Sequence, residues 1–408
     1  MANTFYINDF LRHINIDLLK SFYDSNSVPF SYSKKLNTEE LINHVLDHFK
    51  SLSGDTQDVV ITQLSQVNEL SAYAGAELLK EAAKKGKVKL PEKFDDFSIK
   101  DTALWFYMNE DSLFNQTATK YELQDTVGWK DIFVPQISNA KVSRKRNVFT
   151  LALQKHLQDN ESKGRYCIVE KYLKNGNIFF VAQPQDYARS DVTYSDATKI
   201  NNKIIRKPIF KIFFRYDPKI GMLSVKSTAG RAKDKIKNYQ KIFCKHVLNH
   251  EVNFEDQKIF DLNLIKDEHF SLPTKPEVEY VKIRSATLLY YDRSLKITLD
   301  LNQDSRSGLD DFHYRVKQLR IPLDFVNVVS AKFYFNFKKP ASLSKGLRTT
   351  VTAQVSFPNS HNFADKTFHN KAREYLKEWG ITKKHDEKIV AAYLEPPVST
   401  GSDKDSNR

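Results

Sequence analysis

The hydrophobic period of this 408-residue chain changes once, near Pro135, and that change limits the folds open to it. Before it, Phe10, Ile14, Leu18 and Phe22 recur at helical spacing, as do Leu41, Val45, Leu46 and Phe49. Val60, Leu64, Val67 and Leu70 form a third stripe within 59–83, and 103–107 and 113–121 predict two shorter helices. Residues three or four apart share one face of a helix, so each stripe is a surface to be buried. Thr38, ahead of Glu40, is the expected N-cap of the second helix.

After Pro135 the apolar residues alternate, which is the period of a strand. Segments 165–172 and 177–181 flank Lys174-Asn175-Gly176, and Asn-Gly between two such runs predicts a hairpin with a type I′ turn. Segments 209–216 and 222–226 form a second pair, followed by a helix over 232–248. Two strands (281–291, 295–301), a helix (309–319), two more strands (326–337, 347–357) and a final helix (365–379) ending at Gly380 complete the pattern. The polar stretch 183–202 reads as a long loop.

The expected class is therefore α+β: a helical N-terminal region followed by antiparallel sheets covered by helices, with the middle and C-terminal thirds as variants of one ββ-plus-helix unit. The length exceeds one ordinary core. The expected divisions are a helical domain over 1–135, a basic α+β domain over 136–250, a C-terminal α+β domain over 251–395 and a disordered tail over 396–408. A hydrophobic fraction of 40% with 12% aromatics supplies the apolar surface those cores require.

Charge is distributed unevenly along this framework. Residues 1–135 carry 14 Lys/Arg against 20 Asp/Glu, and residues 136–250 carry 24 against 8, so the overall +13 originates in the middle third. Segment 199–245 alone holds 14 Lys/Arg against Asp217 and Asp234. Within its helix, Lys233, Lys237, Lys241 and Lys245 are spaced by four and form a slowly drifting row, with Arg231 just ahead. Three like-charge i,i+4 pairs cost on the order of 1 kcal/mol, which a polyanion along the row would offset while releasing counterions. Arg144, Lys145 and Arg146 form a second cluster, read as a phosphate-contacting loop or a solvated linker. On the strand before the helix, Phe213 shares a face with Lys211 and Arg215, a pattern able to stack an unpaired base between cations. Phe210 and Phe214 point the other way, as core. Phe333, Phe335 and Phe337 also read as core.

Other chemistries find less support. His44 and His48 sit at i,i+4, a zinc-compatible spacing without a third ligand nearby. Cys244 with His246 and His250 reads as packing rather than a nucleophile pair. His361, His369 and His385 fall in no motif. No Gly-rich phosphate loop occurs, and no cofactor is expected. Asp292 and Asp300 with Lys296 are the carboxylates a divergent metal-dependent nuclease would use. Two cysteines make no disulfide framework, no N-terminal signal peptide is visible, and no run of about 18 apolar residues predicts a membrane span. A cytoplasmic protein with no membrane association is expected.

The primary expectation is a non-enzymatic nucleic-acid (polyanion) binding protein, DNA or RNA, using the middle basic region, with the acidic helical region engaging a protein partner. Residue usage suits a component of a bacterial phage-defence (antiviral) or mobile-element system. The alternatives are a scaffold subunit for an acidic protein partner, and the nuclease.

Overall fold

The computed structural model describes residues 5–33, 35–194, 201–229, 233–255, 257–301, 308–339 and 349–383. The fold is α+β, and it divides into two compact units: residues 1–125 with 190–204, and residues 126–189 with 205–408.

The first unit is a layer of helices: α1 (Ile7–Arg12), α2 (Ile16–Ser25), α3 (Thr38–Ser51), α4 (Gly54–Leu70), α5 (Tyr73–Gly86), α6 (Ile99–Asn109) and α7 (Asp111–Asp125). The four-residue stripes become its core, with Leu19, Val60, Leu64, Val67, Leu70, Leu79 and Phe106 wholly buried. Two helices expected as continuous are broken. Asn15 ends one run and caps the next, its side chain accepting from the N–H groups of Asp17 and Leu18. Its own N–H donates to Asp101 Oδ1 at 2.7 Å, which ties α2 to the first turn of α6. The second break falls at Ser71–Ala72, where Gly75 is required: a Cβ there would lie 2.4 Å from the Leu70 carbonyl oxygen. The N-cap of α3 is Asn37 rather than Thr38, forming a capping box with Glu40 because the amide side chain reaches the N3 amide from one residue earlier.

The second unit is built on ten antiparallel strands. In chain order it contains β1 (Trp129–Phe133), α8 (Asn139–Ser143), α9 (Arg146–Glu161), β2 (Cys167–Lys174) and β3 (Asn177–Pro184). Strands β4 (Arg189–Tyr194) and β5 (Asn201–Arg206) follow as a separate two-stranded sheet, most of which groups with the helical unit. The chain then forms β6 (Ile212–Asp217), β7 (Met222–Ser227) and α10 (Lys233–Phe243), which runs into a π-helical turn at Cys244–Leu248. β8 (Val278–Tyr290), β9 (Lys296–Asp300), α11 (Gly308–Gln318), β10 (Val326–Phe337), β11 (Thr350–Ser356), β12 (Ser360–His361) and α12 (Thr367–Glu378) complete it. A hairpin followed by a helix thus recurs in β6-β7-α10, β8-β9-α11 and β10-β11-α12.

The strand order is β2-β3-β6-β7-β1-β12-β11-β10-β8-β9. The segments expected as separate middle and C-terminal domains therefore contribute to one continuous sheet. They meet at β1, which the expected boundary at 135 had assigned to the helical region. Two features escaped the expected pattern: the stretch expected as a loop over 183–202 carries β4 and part of β5, and α9 forms over residues for which no element was expected. Asn175 (φ 52°) and Gly176 (φ 81°) both adopt positive φ, as the type I′ turn of the β2–β3 hairpin requires. The expected tail at 396–408 lies outside the described residues.

Each half of the sheet has its own core, and the cores lie on opposite faces. Phe180, Phe214, Leu223 and Ile132 pack against Phe149, Leu153 and Leu157 of α9 and Tyr239 and Phe243 of α10. Phe333, Phe335, Val351, Ala353 and Val355 pack with Phe312 of α11 and with Phe368 and Leu376 of α12. Val355 pairs with His361, and His361 with Trp129, so these residues share a face. Ile132 is an odd number of residues from Trp129 and points to the other side. Consequently α9 and α10 cover one face of one half, and α11 and α12 cover the reverse face of the other.

Candidate nucleic-acid interface

Helix α10 is amphipathic by sequence, and Lys237 and Lys241 fall on the side away from the sheet. Tyr239, Ile242, Phe243 and Val247 are buried, whereas Lys237, Lys241 and Lys245 are exposed. The ladder widens to the π pattern at Cys244, so Lys245 departs from a strict four-residue row. Lys237 and Lys241 both stand over the half-buried ring of Phe254, with ammonium nitrogens 5.9 and 5.7 Å from its centroid. The negative face of the ring lowers the cost of placing two cations side by side. Lys233 opens the helix, and Arg231 lies outside the described residues.

The second cluster spans the turn between α8 and α9 and the first residue of α9. Arg144 follows α8, Lys145 is the N-cap of α9 and Arg146 its first residue; all three are exposed. Side-chain contacts fix how α9 runs beside α10. The Phe149 and Phe243 rings are 5.2 Å apart, His156 and Tyr239 6.5 Å, and Glu161 Oε2 is 2.6 Å from Lys235 Nζ. Ascending positions on one helix meet descending positions on the other, so the pair is antiparallel. The start of α9, with Arg144 to Arg146, therefore lies at the same end of the pair as Lys241 and Lys245.

The far end is closed by opposite charges. Glu161 accepts from Lys235, from Lys163 at 3.0 Å and from the Tyr239 hydroxyl at 3.2 Å. Burial alone would raise the Glu161 pKa, but the two ammonium groups outweigh it and hold the carboxyl below its ordinary value. The Lys163 side chain is 2% exposed and also stands 4.0 Å over Phe210.

Phe213 and Arg215 do not join this surface. They lie on the opposite face of the sheet and are 2% and 4% exposed, so the base-stacking role expected of them is corrected to an interior one. Lys211, just before β6, is half-buried. Alternation paired Phe213 with Arg215 as expected, but this half of the sheet is covered on both sides. Arg215 donates from Nη2 to Ser224 Oγ at 2.9 Å and stands 5.2 Å over Trp129.

That interior face holds a charged cluster with no local sequence signature. Asp131 Oδ2 lies 3.0 Å from His361 Nε2, and His361 Nδ1 accepts the N–H of Phe363, which leaves the ring proton on Nε2. Burial and the positive charges of Arg215 and Arg373 drive the His361 pKa below its ordinary value. Burial opposes ionisation of Asp131, but His361, Arg215 and Ser224 together lower its pKa. Arg373 stands 5.2 Å over Phe363, and burial brings its pKa to about 9. Asp131 takes contacts from both His361 and Ser224, so the histidine does not bridge acid to hydroxyl as a nucleophilic triad requires. The arrangement positions strands; it does not activate a nucleophile.

The other titratable candidates are occupied structurally. His44 Nε2 contacts the Ser31 carbonyl at 2.8 Å, and His48 packs 4.8 Å from Phe30 with its pKa lowered by burial. Burial pushes the Cys244 thiol up to about 12, far from a thiolate at neutral pH. Asp292 accepts from Ser294 in the β8–β9 turn, while Asp300 lies four residues, roughly 13 Å, along β9 from Lys296. Among the described residues, no three His, Cys, Asp or Glu side chains come together to hold a metal. None of the described helices is long and apolar enough to cross a membrane.

No protein-family model matches the chain, and no curated protein matches it.

Proposed function

We propose that the chain binds nucleic acid through the outward side of the α9–α10 pair, by sequence-independent contact with the phosphate backbone. The observation that carries this reading is the antiparallel pairing of the two helices. It places Arg144, Lys145 and Arg146 at the end where Lys241 and Lys245 stand exposed. A linear array of cations on a rigid scaffold releases condensed counterions when it meets a polyanion, so affinity falls steeply with salt. Binding of labelled duplex and single-stranded DNA and RNA at low and physiological salt tests the reading. Loss of affinity on changing Lys237 and Lys241 to Glu supports it; no binding at low salt removes it.

A second reading, docking of an acidic protein partner, draws on Val148 and Leu151, apolar residues of α9 that are 48% and 67% exposed beside the basic end. Isolation of a stoichiometric partner free of nucleic acid would favour it.

A further inference from the structure

The face of the sheet left uncovered by α11 and α12 carries a groove of about 990 Å³, at the upper end of the roughly 300–1,000 Å³ of ligand pockets. Its floor is the ends of β8, β10 and β11, presenting Thr287, Leu289, Asn327, Ser330, Gln354 and Ser356. Lys258, Arg293, Lys296 and Lys383 line it, against a single acid, Asp261, which is 3.7 Å from Lys383. Two rings belong to the lining and remain open, Tyr291 at 55% and Phe357 at 46% exposure.

The same sheet face continues with the same chemistry. Tyr334 lies four residues, roughly 13 Å, beyond Ser330 on β10. The Arg284 guanidinium sits 3.7 Å over its ring, with Tyr280 and Lys282 alongside. Cations, aromatic rings and short hydrogen-bonding side chains thus share one strip of this face, open at the groove and closed further on, where Lys282 is 5% exposed and Arg284 covers the Tyr334 ring. A duplex hides its base faces and offers only phosphate, whereas an unpaired strand brings both groups that such a strip can hold.

The geometry points to this groove as a binding site for single-stranded nucleic acid, with bases against Tyr291 and Phe357 and phosphates against Arg293, Lys296 and Lys258. It uses a different surface and different contacts from the helix pair, so either assignment can fail alone.

The test uses the full chain and the fluorescence anisotropy of labelled oligothymidylate, oligouridylate and a duplex of equal length, at low and physiological salt. Tyr291→Ala is expected to weaken single-strand binding about tenfold at both salts, the scale of one lost stacking contact. Tyr291→Phe retains it. Arg293→Glu with Lys296→Glu weakens it further at low salt, and all three variants leave the duplex unaffected. Binding of either sugar supports the inference, and their ratio names the nucleic acid. The inference falls if Tyr291→Ala and the double Glu variant leave single-strand affinity unchanged, or if they weaken duplex and single strand equally. It falls alone if only Lys237→Glu with Lys241→Glu abolishes binding; the helix-face reading falls alone if only the groove variants do.

Discussion

Glu161 at the end of α9 and Lys235 near the start of α10 are joined at 2.6 Å, and the same carboxylate neutralises the buried Lys163. One acid thus joins the end of α9 to the start of α10, in line with the Phe149–Phe243 and His156–Tyr239 contacts further along the pair. Removing it leaves Lys163 buried among Phe210, Tyr187 and Asp186, the last still 3.8 Å away. Breaking one partner of a buried pair costs about 3–5 kcal/mol, and the remaining aspartate offsets part of that. Glu161→Gln is expected to lower the unfolding free energy by about 2–3 kcal/mol, measured by urea titration.

The exposed cations of the helix pair make a quantitative prediction about salt. Each lost phosphate contact reduces the slope of log affinity against log salt by about 0.9 on a duplex. Lys237→Gln with Lys241→Gln should reduce the slope by about 2 while leaving thermal stability unchanged, because both side chains are exposed. Arg144→Gln should reduce the slope by about 1. Filter binding over a salt series reads both.

His361 gives the fold a pH dependence. Its ordinary value is 6.5, and its folded value is lower because burial beside Arg215 and Arg373 disfavours the imidazolium. Between the two values the unfolded chain binds a proton that the folded chain does not, so stability rises with pH there. The contribution is complete above about pH 6.5 and is lost as the pH falls through the folded value. Thermal melts of the wild type should therefore drop below pH 6.5, and His361→Gln should be less stable at pH 7 with a shallower drop. An identical pH slope in the variant would contradict the assignment.

Gly75 tests the packing of the helical unit. A methyl at that position meets the backbone of Leu70 and cannot be relieved by a side-chain rotation. Although alanine favours a helix by about 1 kcal/mol over glycine, Gly75→Ala should destabilise by about 1–3 kcal/mol. Gly86→Ala, whose Cβ would approach nothing nearer than Val88 Cγ2 at 3.6 Å, is the matched control and should not destabilise.

Periodicity was a good guide where one face of an element is buried. The i,i+4 stripes of α2, α3 and α4 and the alternation of β10 gave cores that the structure contains, down to Phe333, Phe335 and Phe337. It failed where burial is two-sided: Phe213 and Arg215 were placed on the same face, but nothing local tells that this face is covered as well. The basic triplet Arg144 to Arg146 is expected as a loop or a linker, and the stripe of Phe149, Leu153 and Leu157 that buries α9 behind it falls in no expected element. β12 has two residues, too few for any period, and Asp131 and His361 come together only through it. The groove beside Tyr291 likewise collects residues from five separate stretches of the chain, so no single window of sequence contains it.

The seam between the halves of the sheet has a consequence for synthesis of the chain. β1 pairs with β7 on one side, but its other partner, β12, lies at the far end of the second unit. Asp131 and Asn359, hydrogen-bonded across that seam, are 228 residues apart. At the usual pace of about 5–20 residues per second, the ribosome needs roughly 10–50 s to supply the missing strand. Throughout that interval the nascent chain carries an unpaired edge at its centre, a template for self-association and a target for chaperones.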